Sequence, residues 1–217
     1  MKHLTIIGLT GPAGSGKDTV GDLLVAHAGF TKMAFADPLK KEVADAFDVE
    51  LLDLTHRETK EHAMSGLALR RCRSEGFVVR MIITHALADQ RLDLDAPRSP
   101  RWIMQQWGTE YRRHQTKNYW IGQFLGRVNY LRNKCQAGHL VVSDCRFADE
   151  VYAVRHALGG QLWQITRPEL AALPGGHVSE VSGSEFRPDA VIHNGHSVAH
   201  LQARVLEALE PLARAVA

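Results

Sequence analysis

A short apolar run that breaks into glycines and ends on a lysine, at residues 6–19, most constrains how this chain can fold. Gly11, Gly14 and Gly16 let the backbone curl with its N–H groups pointing inward, because glycine alone takes positive φ without steric cost. Lys17 adds a point charge, and the helix expected after it directs its positive dipole end to the same place. The order of strand, loop, lysine and helix therefore predicts a cradle for nucleotide phosphates.

The loop departs from the commonest phosphate-loop pattern at one position. Gly-x4-Gly-Lys fits residues 11–17, but the next residue, usually a Ser or Thr that ligates magnesium, is Asp18. Thr19 follows one position late, which resembles the Gly-Lys-x-Thr variant of monophosphate kinases, where magnesium is held partly through water. The alternative interpretation is a glycine-rich turn that binds nothing.

Length and composition indicate one globular domain with room for an inserted lobe. The chain has 217 residues, and its 45% hydrophobic and 23% charged residues are typical of globular proteins. A net charge of +2 is too small to indicate nucleic-acid binding. No run approaches the length of a membrane span, and the cysteines form no Cys-x-x-Cys pair, as in a reducing compartment. We therefore expect a cytoplasmic monomer or homodimer with no nucleic-acid or membrane partner.

Strands and helices alternate in the order that a parallel sheet requires. A helix over 17–28 that ends at Gly29 joins the first two strands, which predicts a right-handed crossover. The apolar runs predict strands at 4–9, 30–35, 139–143, 161–166 and 190–193. The predicted fold class is α/β, with three layers around a mostly parallel central sheet.

The segment at 37–135 predicts a helical lobe inserted after the second strand. Asp37-Pro38 and Ser99-Pro100 each supply a cap and a first helical position. Between 55 and 99 the pattern loosens, since histidines and arginines surround few large apolar groups. We interpret this stretch as a mobile lobe, or alternatively as a solvated helical face. Residues 168–188 are rich in glycine and proline and follow a strand, so they are a candidate lid.

Charged residues follow two of the predicted strands at the edge where ligands bind. Asp144 closes an apolar strand, as a magnesium-ordering carboxylate would, or else caps the helix that begins near 147. Arg146 and Arg167 supply positive charge at this edge, or else form surface ion pairs. Zinc is not expected at His193-x-x-His196, because the pair has no cysteine or carboxylate beside it.

Five motifs together resemble the deoxynucleoside monophosphate kinases of tailed bacteriophages, over nearly the whole chain. They are Gly-x-x-x-Ser-Gly-Lys-Asp-Thr at 11–19, Phe-Ala-Asp-Pro-Leu-Lys at 35–40, Arg-Trp-Ile-Met-Gln-Gln-Trp-Gly-Thr-Glu at 101–110, Ser-Asp-Cys-Arg-Phe-Ala-Asp-Glu at 143–150 and His-Val-Ser-Glu at 177–180. The resemblance implies a P-loop kinase with a monophosphate-binding lobe and a lid, in a host cytoplasm if phage-encoded. It implies ATP and Mg²⁺ as cofactors and a deoxynucleoside monophosphate as the small-molecule acceptor.

The same resemblance assigns roles to single residues. It places ATP on Gly11, Ala13, Gly14, Ser15, Gly16, Lys17, Asp18 and Thr19. It makes Asp18 and Asp144 candidates for ordering magnesium, and Lys17, Arg146 and Arg167 candidates for catalysis. It places the acceptor on Asp37, Lys40, Arg101, Gln105 and Arg112. Ala148 and Asp149 depart from the family pattern, so no role is assigned to the side chains of Asp149 and Glu150.

Two other functions remain open at this point. Animal-type phosphomevalonate kinases resemble the chain through the same Gly-Lys-Asp start, Asp-x-Arg segment and His-x-Ser-Glu stretch. A nucleotide-gated binding protein or packaging accessory would use ATP only as a switch. Trp102, Trp107 and Tyr111 favour a pocket for a flat base, and hence a nucleotide acceptor. The bases accepted, the sugar preference and the role of 55–99 are not predicted.

Overall fold

The computed structural model describes residues 4–56, 58–134, 138–168 and 186–216, with side chains up to residue 212. The chain divides into two compact units. One is an α/β unit of Met1–Phe35 and Phe124–Ala217, and the other is a helical unit of Ala36–Gln123. Most of the lid predicted at 168–188 lies outside the described residues. None of the described helices is long and apolar enough to cross a membrane.

The α/β unit is built on a sheet of five described strands, and the predicted α/β class is confirmed. The strands run in the order β2-β3-β1-β4-β5, and every neighbouring pair is parallel. Their bounds are β1 Thr5–Thr10, β2 Thr31–Met33, β3 His139–Val142, β4 Gln161–Thr166 and β5 Ala190–His193.

Helices account for most of the remaining described residues. In chain order they are α1 Lys17–Ala28, α2 Asp37–Phe47, α3 Leu51–Thr55, α4 Glu75–Leu87, α5 Pro100–Gln105, α6 Tyr119–Asn133, α7 Ala148–Tyr152 and α8 Val198–Val216. Two π-helical segments continue α5 and α7, at Gln106–Arg113 and Ala153–Ala157. Ser99 caps α5, as predicted, and Ser197 caps α8, since the Oγ of each accepts a hydrogen bond from a backbone N–H group.

The core of the α/β unit lies where α1 and α8 cover the sheet. Ile7, Leu9 and Trp163 from the central strands are fully buried. They cluster with Leu24 of α1 and Leu201 of α8. A parallel sheet with covered strands needs apolar side chains at successive positions, which explains why these strands read as unbroken apolar runs.

The helical unit ends earlier than predicted, at Gln123 rather than near residue 135. The reason lies in α6, whose second half belongs to the α/β unit. Phe124 is fully buried there, and its ring lies 4.1 Å from that of Phe35, between centroids. The boundary therefore falls within a continuous helix.

The helical unit has its own hydrophobic core. The segment 55–99, predicted as a mobile lobe or a solvated helical face, contributes several buried residues to this core. Helix α4 lies within it, and Phe77 and Met81 of this helix are fully buried. Leu67 and Leu69, in two 3₁₀ turns, are buried in the same cluster. The segment also closes through an antiparallel bridge between Met64 and Arg98. It is a packed part of the helical unit.

The carboxyl ends of the strands meet at one edge of the sheet, because all described neighbours are parallel. The phosphate loop follows β1, Asp144 and Arg146 follow β3, Arg167 follows β4 and Asn194 follows β5. In open parallel sheets, ligands bind outside these ends. The fold thus gathers the predicted site residues of the α/β unit at the edge where ligands bind.

Candidate phosphate-binding site

The loop after β1 has the backbone conformation of an anion cradle. Gly11, Gly14 and Gly16 have φ angles of 137°, 77° and 101°, which L side chains rarely adopt. A Cβ atom at Gly11 would also lie only 2.2 Å from the carbonyl oxygen of Ile165 in β4. Glycine is therefore required at position 11 both by its backbone angle and by the neighbouring strand.

Lys17 and Ser15 supply polar groups to this loop. Nζ of Lys17 donates to the carbonyl oxygens of Gly11 and Pro12, both at 2.7 Å. Ser15 is fully buried, and its Oγ has no hydrogen-bond partner among the described residues. An unsatisfied buried hydroxyl costs about 1–3 kcal/mol, which a hydrogen bond to a phosphate oxygen would offset. The loop therefore fits a phosphate chain.

Asn194, directly after β5, supports the loop, a role that no motif in the sequence predicts. Its Nδ2 donates to the carbonyl oxygen of Ser15 at 2.9 Å, and its backbone N–H donates to that of Thr166 at 2.7 Å. Gly16 lies against this amide, since a Cβ there would be 2.3 Å from Nδ2. The signal in the sequence was the position of Asn194 directly after a strand of the parallel sheet.

A pocket of about 310 Å³ lies beside the loop. Two predicted site residues, Thr19 and Arg167, line this pocket together. The other lining residues come from the turn after β5 and from α8, namely Asn194, Gly195, His196, Val198 and Leu201. Its volume is at the lower end of those of small-molecule sites, so it has room for one ring system.

Asp144 and Arg146 lie in the loop after β3. Oδ1 of Asp144 accepts a hydrogen bond from the backbone N–H of Phe35 at 2.7 Å, which ties this loop to the end of β2. At the start of α7, the carboxylate of Glu150 accepts hydrogen bonds from the backbone. Its Oε2 lies 2.8 Å from the nitrogen of Arg146 and 3.1 Å from that of Phe147. The side chain of Arg146 is exposed.

Glu150 is a buried carboxyl group to which the sequence assigned no role. Its burial, at 5% exposure, together with the negative charge of Asp144, raises its pKa to about 8. Two backbone hydrogen bonds oppose this rise. The neighbouring Cys145 is also buried, which raises the pKa of its thiol. A largely neutral acid therefore holds the loop of Asp144 and Arg146 at neutral pH.

Replacing Glu150 with glutamine should flatten the pH dependence of stability. The folded state holds this proton more tightly than the unfolded state, whose pKa is close to the ordinary 4.5. The resulting stability is fully present below the unfolded pKa and is lost as pH rises through about 8. Urea unfolding at a series of pH values should show a steeper fall in unfolding free energy for wild type than for Glu150→Gln. The exposed Glu207→Gln should keep the wild-type slope. Parallel curves for wild type and Glu150→Gln would contradict the raised pKa.

Asp18, a predicted magnesium-ordering residue, has an exposed side chain. Its Oδ1 lies 3.0 Å from Nζ of Lys32, which also pairs with Asp22 at 3.0 Å. A carboxylate paired with an ammonium group is a weaker ligand for a cation than one without such a partner. The role of Asp18 stays a prediction.

Metal ligands of the zinc type are not grouped in the part of the chain that the structure describes. No cluster of three or more His, Cys, Asp or Glu side chains that could hold a metal ion occurs there. The rings of His196 and His200 approach to 4.7 Å between centroids, without a third such side chain. Magnesium bound together with a nucleotide needs only one or two carboxylates, since phosphates and water complete its shell.

The helical unit carries the residues predicted to face the acceptor. Lys40 pairs with Asp37 at 3.3 Å, one turn apart on α2. The predicted cap at Asp37 is wrong, because α2 begins at that residue. On α5, Arg101 forms an ion pair with Glu61, and the exposed Gln105 lies one turn further along the helix. The structure thus places Arg101 and Gln105 on one helix.

Arg112 is more enclosed than Arg101, since their side chains are 25% and 55% exposed. Its Nε donates to Oε2 of Glu42 at 2.7 Å. Its guanidinium carbon lies 4.8 Å from the ring centroid of Tyr111 and 4.9 Å from that of Tyr119. Glu42 does not appear among the residues predicted from the sequence, because no motif contains it.

Trp107 cannot stack on a base, so its predicted place in a base pocket is wrong. It is only 2% exposed, and its ring lies 4.6 Å from Phe77 and 5.4 Å from Tyr111, between centroids. Tyr111 is also buried in this core. Both rings belong to the core of the helical unit, where they hold α4 against the π segment.

Comparison with known proteins gives one relative over nearly the full length. The chain is 27% identical over 212 residues to a protein of Acanthamoeba polyphaga mimivirus named "Putative deoxynucleotide monophosphate kinase", which covers 95% of this chain and 97% of that protein. No protein-family model matches the chain.

Two solved structures share a weak structural similarity with nearly the whole chain. A dephospho-CoA kinase from Campylobacter jejuni has a TM-score of 0.46 and 12% identity, covering 96% of this chain and 97% of that one. A sugar kinase from Janibacter sp. has a TM-score of 0.43 and 14% identity, covering 99% of each chain. Both TM-scores are below 0.5.

Proposed function

We propose that this protein is a kinase that transfers the γ-phosphate of ATP to a deoxynucleoside monophosphate, giving ADP and a deoxynucleoside diphosphate. The observation that carries the proposal is the loop after β1, with its positive-φ glycines, Lys17 and the buried hydroxyl of Ser15, which has no hydrogen-bond partner among the described residues. The name of the mimivirus relative supports the choice of acceptor. The motifs at 35–40, 101–110 and 143–150 support it independently of that name.

Phosphoryl transfer between two nucleotides requires little covalent chemistry from the protein. The acceptor phosphate is already an anionic nucleophile at neutral pH, so no general base is required. Positive charge on the transferring group and in-line positioning are required instead. Lys17 and Arg146 supply charge to the transferring phosphoryl group. Arg167 holds the donor from the pocket that it shares with Thr19.

The residues present fit ATP and leave a place for Mg²⁺. The loop from Gly11 to Thr19 would hold the phosphate chain, and the pocket of about 310 Å³ would take the ring system. Asp144 would hold Mg²⁺ together with the nucleotide phosphates and water. When bound, the ion neutralises charge on the phosphoryl oxygens. The partner is a small-molecule nucleotide.

The acceptor is proposed to bind through residues of the helical unit. Arg101 and Arg112 would hold its phosphate, since a guanidinium group matches phosphate geometry with two parallel N–H groups. Asp37 and Lys40 would contact the same nucleotide. Gln105 would contact the base, because its exposed amide can both donate and accept hydrogen bonds.

Acceptor-dependent ADP release, measured over all deoxy- and ribonucleoside monophosphates and phosphomevalonate, tests this function. We expect deoxynucleoside monophosphates to give the highest rates. Arg101→Ala should raise the acceptor KM about tenfold for every base, because it removes a charged hydrogen bond to the shared phosphate. Gln105→Ala should change the ranking of the bases, because a site that hydrogen-bonds a base rejects ligands that leave its polar groups unpaired.

Arg70→Ala is the matched control for Arg101→Ala. Arg70 is an exposed arginine of the same unit, paired with Asp95 at 2.5 Å, and no acceptor role is proposed for it. Its loss should leave all acceptor KM values unchanged. The proposed function is wrong if phosphomevalonate outperforms every nucleotide, or if no acceptor stimulates ADP release. The second result would favour a nucleotide-gated switch.

A further inference from the structure

Three side chains converge on one carboxylate in the helical unit. Oε2 of Glu42 accepts from Nε1 of Trp107 at 2.8 Å and from Nε of Arg112 at 2.7 Å. Oε1 of the same carboxylate accepts a short hydrogen bond from the hydroxyl of Tyr119. Glu42 is 22% exposed, so its charge is compensated by these donors with little help from water. The carboxylate is thereby fixed in position and orientation.

The π-helical segment explains why two of these donors reach the same oxygen atom. In an α-helix, residues five apart point about 140° apart around the axis. Trp107 and Arg112 are five apart, and they lie in the π segment Gln106–Arg113. Its i→i+5 hydrogen bonds bring such residues close to one face of the helix. This irregular stretch, a kind often found at functional sites, therefore aligns Arg112 with the carboxylate that Trp107 also holds.

The direction of the Arg112 side chain is set by this arrangement. Glu42 engages Nε, and no hydrogen bond within the described residues engages the two terminal nitrogens. The rings of Tyr111 and Tyr119 lie within 5 Å of the guanidinium carbon, and that of Trp107 lies at 5.8 Å. About a quarter of the side chain remains exposed. Because Nε and the flanking rings hold the guanidinium, we expect the exposed part of the side chain to offer its terminal N–H pair, which matches the geometry of a phosphate.

The phenol of Tyr119 is a donor to this carboxylate over a wide pH range. Burial, followed by the hydrogen bond to Glu42 and the charge of Glu42, raises its pKa above the ordinary value. The phenol therefore keeps its proton at neutral pH and donates it to Oε1. The hydroxyl of Tyr119 therefore occupies Oε1 of Glu42, whereas Arg112 binds Oε2.

We infer that Glu42 is a positioning residue that aims Arg112 at the phosphate of the acceptor. The inference rests on the proposed function, since that function assigns Arg112 to the acceptor. Glu42 itself makes no contact with the ligand and acts through Arg112. Two effects of its carboxylate oppose each other, because it orders the guanidinium but also offsets part of its charge. We expect the ordering to dominate, since a free arginine side chain must lose its rotamer freedom on binding.

Equilibrium titration with dTMP and with inorganic phosphate, without ATP, tests the inference independently of turnover. Glu42→Ala should weaken binding of both probes about tenfold, the size expected for losing a hydrogen bond to a charged group. Glu42→Gln should bind within about twofold of wild type, because the amide oxygen still accepts from Nε and the amide nitrogen faces a phenol that can accept. The exposed Glu207→Ala is the matched control and should change nothing.

A double-mutant cycle separates positioning from general destabilisation. In an Arg112→Ala background, Glu42→Ala should have no further effect on the dissociation constants, because the group it positions is gone. Melting temperatures establish that each variant is folded. Equal or tighter binding of both probes by folded Glu42→Ala would overturn the inference, as would an undiminished effect in the Arg112→Ala background. Absence of dTMP and phosphate binding by wild type would also overturn it. Binding without acceptor-dependent ADP release would instead refute the proposed function alone.

Discussion

Lys17→Ala should lower kcat by about a thousandfold while the protein stays folded. The ammonium lies at the phosphate loop, 2.7 Å from the carbonyl oxygens of Gly11 and Pro12. In the proposed reaction, it stabilises charge on the transferring phosphoryl group, where water is largely excluded. A thousandfold loss corresponds to about 4 kcal/mol of transition-state stabilisation. Coupled ADP release with saturating ATP and acceptor measures this directly.

The matched control is Lys41→Ala, which removes an exposed lysine paired with Asp45 at 2.8 Å. Exposed ion pairs contribute little to stability, so this variant should keep wild-type turnover. Lys17→Ala also loses two hydrogen bonds to the loop, each of about 1 kcal/mol, so its melting temperature should fall modestly. Near-wild-type turnover in folded Lys17→Ala would remove the basis for the phosphate-loop assignment.

The α/β class could be predicted because its signals are local. Each strand is a short unbroken apolar run, and β1 is followed at once by glycines that need positive φ. The sequence also predicts the C-terminus of α1 and the N-terminus of α5, since Gly29 terminates the first helix and Ser99 caps the second. Such signals depend on neighbouring residues and not on tertiary contacts, so the observed elements agree with those predicted from the sequence.

Helix α4 could not be predicted because its apolar residues do not form one stripe. Phe77 and Met81 are fully buried, whereas Val79 and Ile83 are 52% and 46% exposed. A periodicity argument needs one apolar face and one polar face, and apolar groups on both faces obscure the helical period. The neighbouring arginines are also typical of a solvated stretch. Packing of α4 against the π segment decides the outcome, and that contact is not encoded locally.

The residues of the candidate site also fall into two groups, those that motifs predict and those that only the assembled fold reveals. Lys17, Asp144 and Arg146 could be proposed from motifs at strand ends, and the structure places them at the expected edge. Asn194 and Glu42 could not, because each acts on residues far away in sequence. Asn194 bonds to a residue 179 positions earlier, and Glu42 bonds to residues 65 to 77 positions later. One sequence can place Asn194 at the end of a strand, but it does not reveal which groups Asn194 and Glu42 contact, because these contacts depend on the assembled fold.

Arg146→Lys should lower kcat by at least about a hundredfold, although the charge is conserved. Arg146 follows Asp144 in the loop after β3, and its side chain is exposed at the edge where ligands bind. Its proposed task is to span donor and acceptor phosphates with a planar fork. A lysine ammonium is a compact point charge and cannot reproduce two parallel hydrogen bonds. Steady-state kinetics with varied ATP, and then with varied acceptor, measures the change.

The distribution of this loss between kcat and KM decides what Arg146 does. A group that acts mainly on the transferring phosphoryl contributes more in the transition state than in the ground state, so KM for ATP should stay within about twofold of wild type. Arg204→Lys is the control, because Arg204 is exposed on α8 and pairs with Glu207. If Arg146→Lys keeps full turnover, Arg146 serves only the structure of its loop, and Lys17 is left to supply the charge at the transferring group.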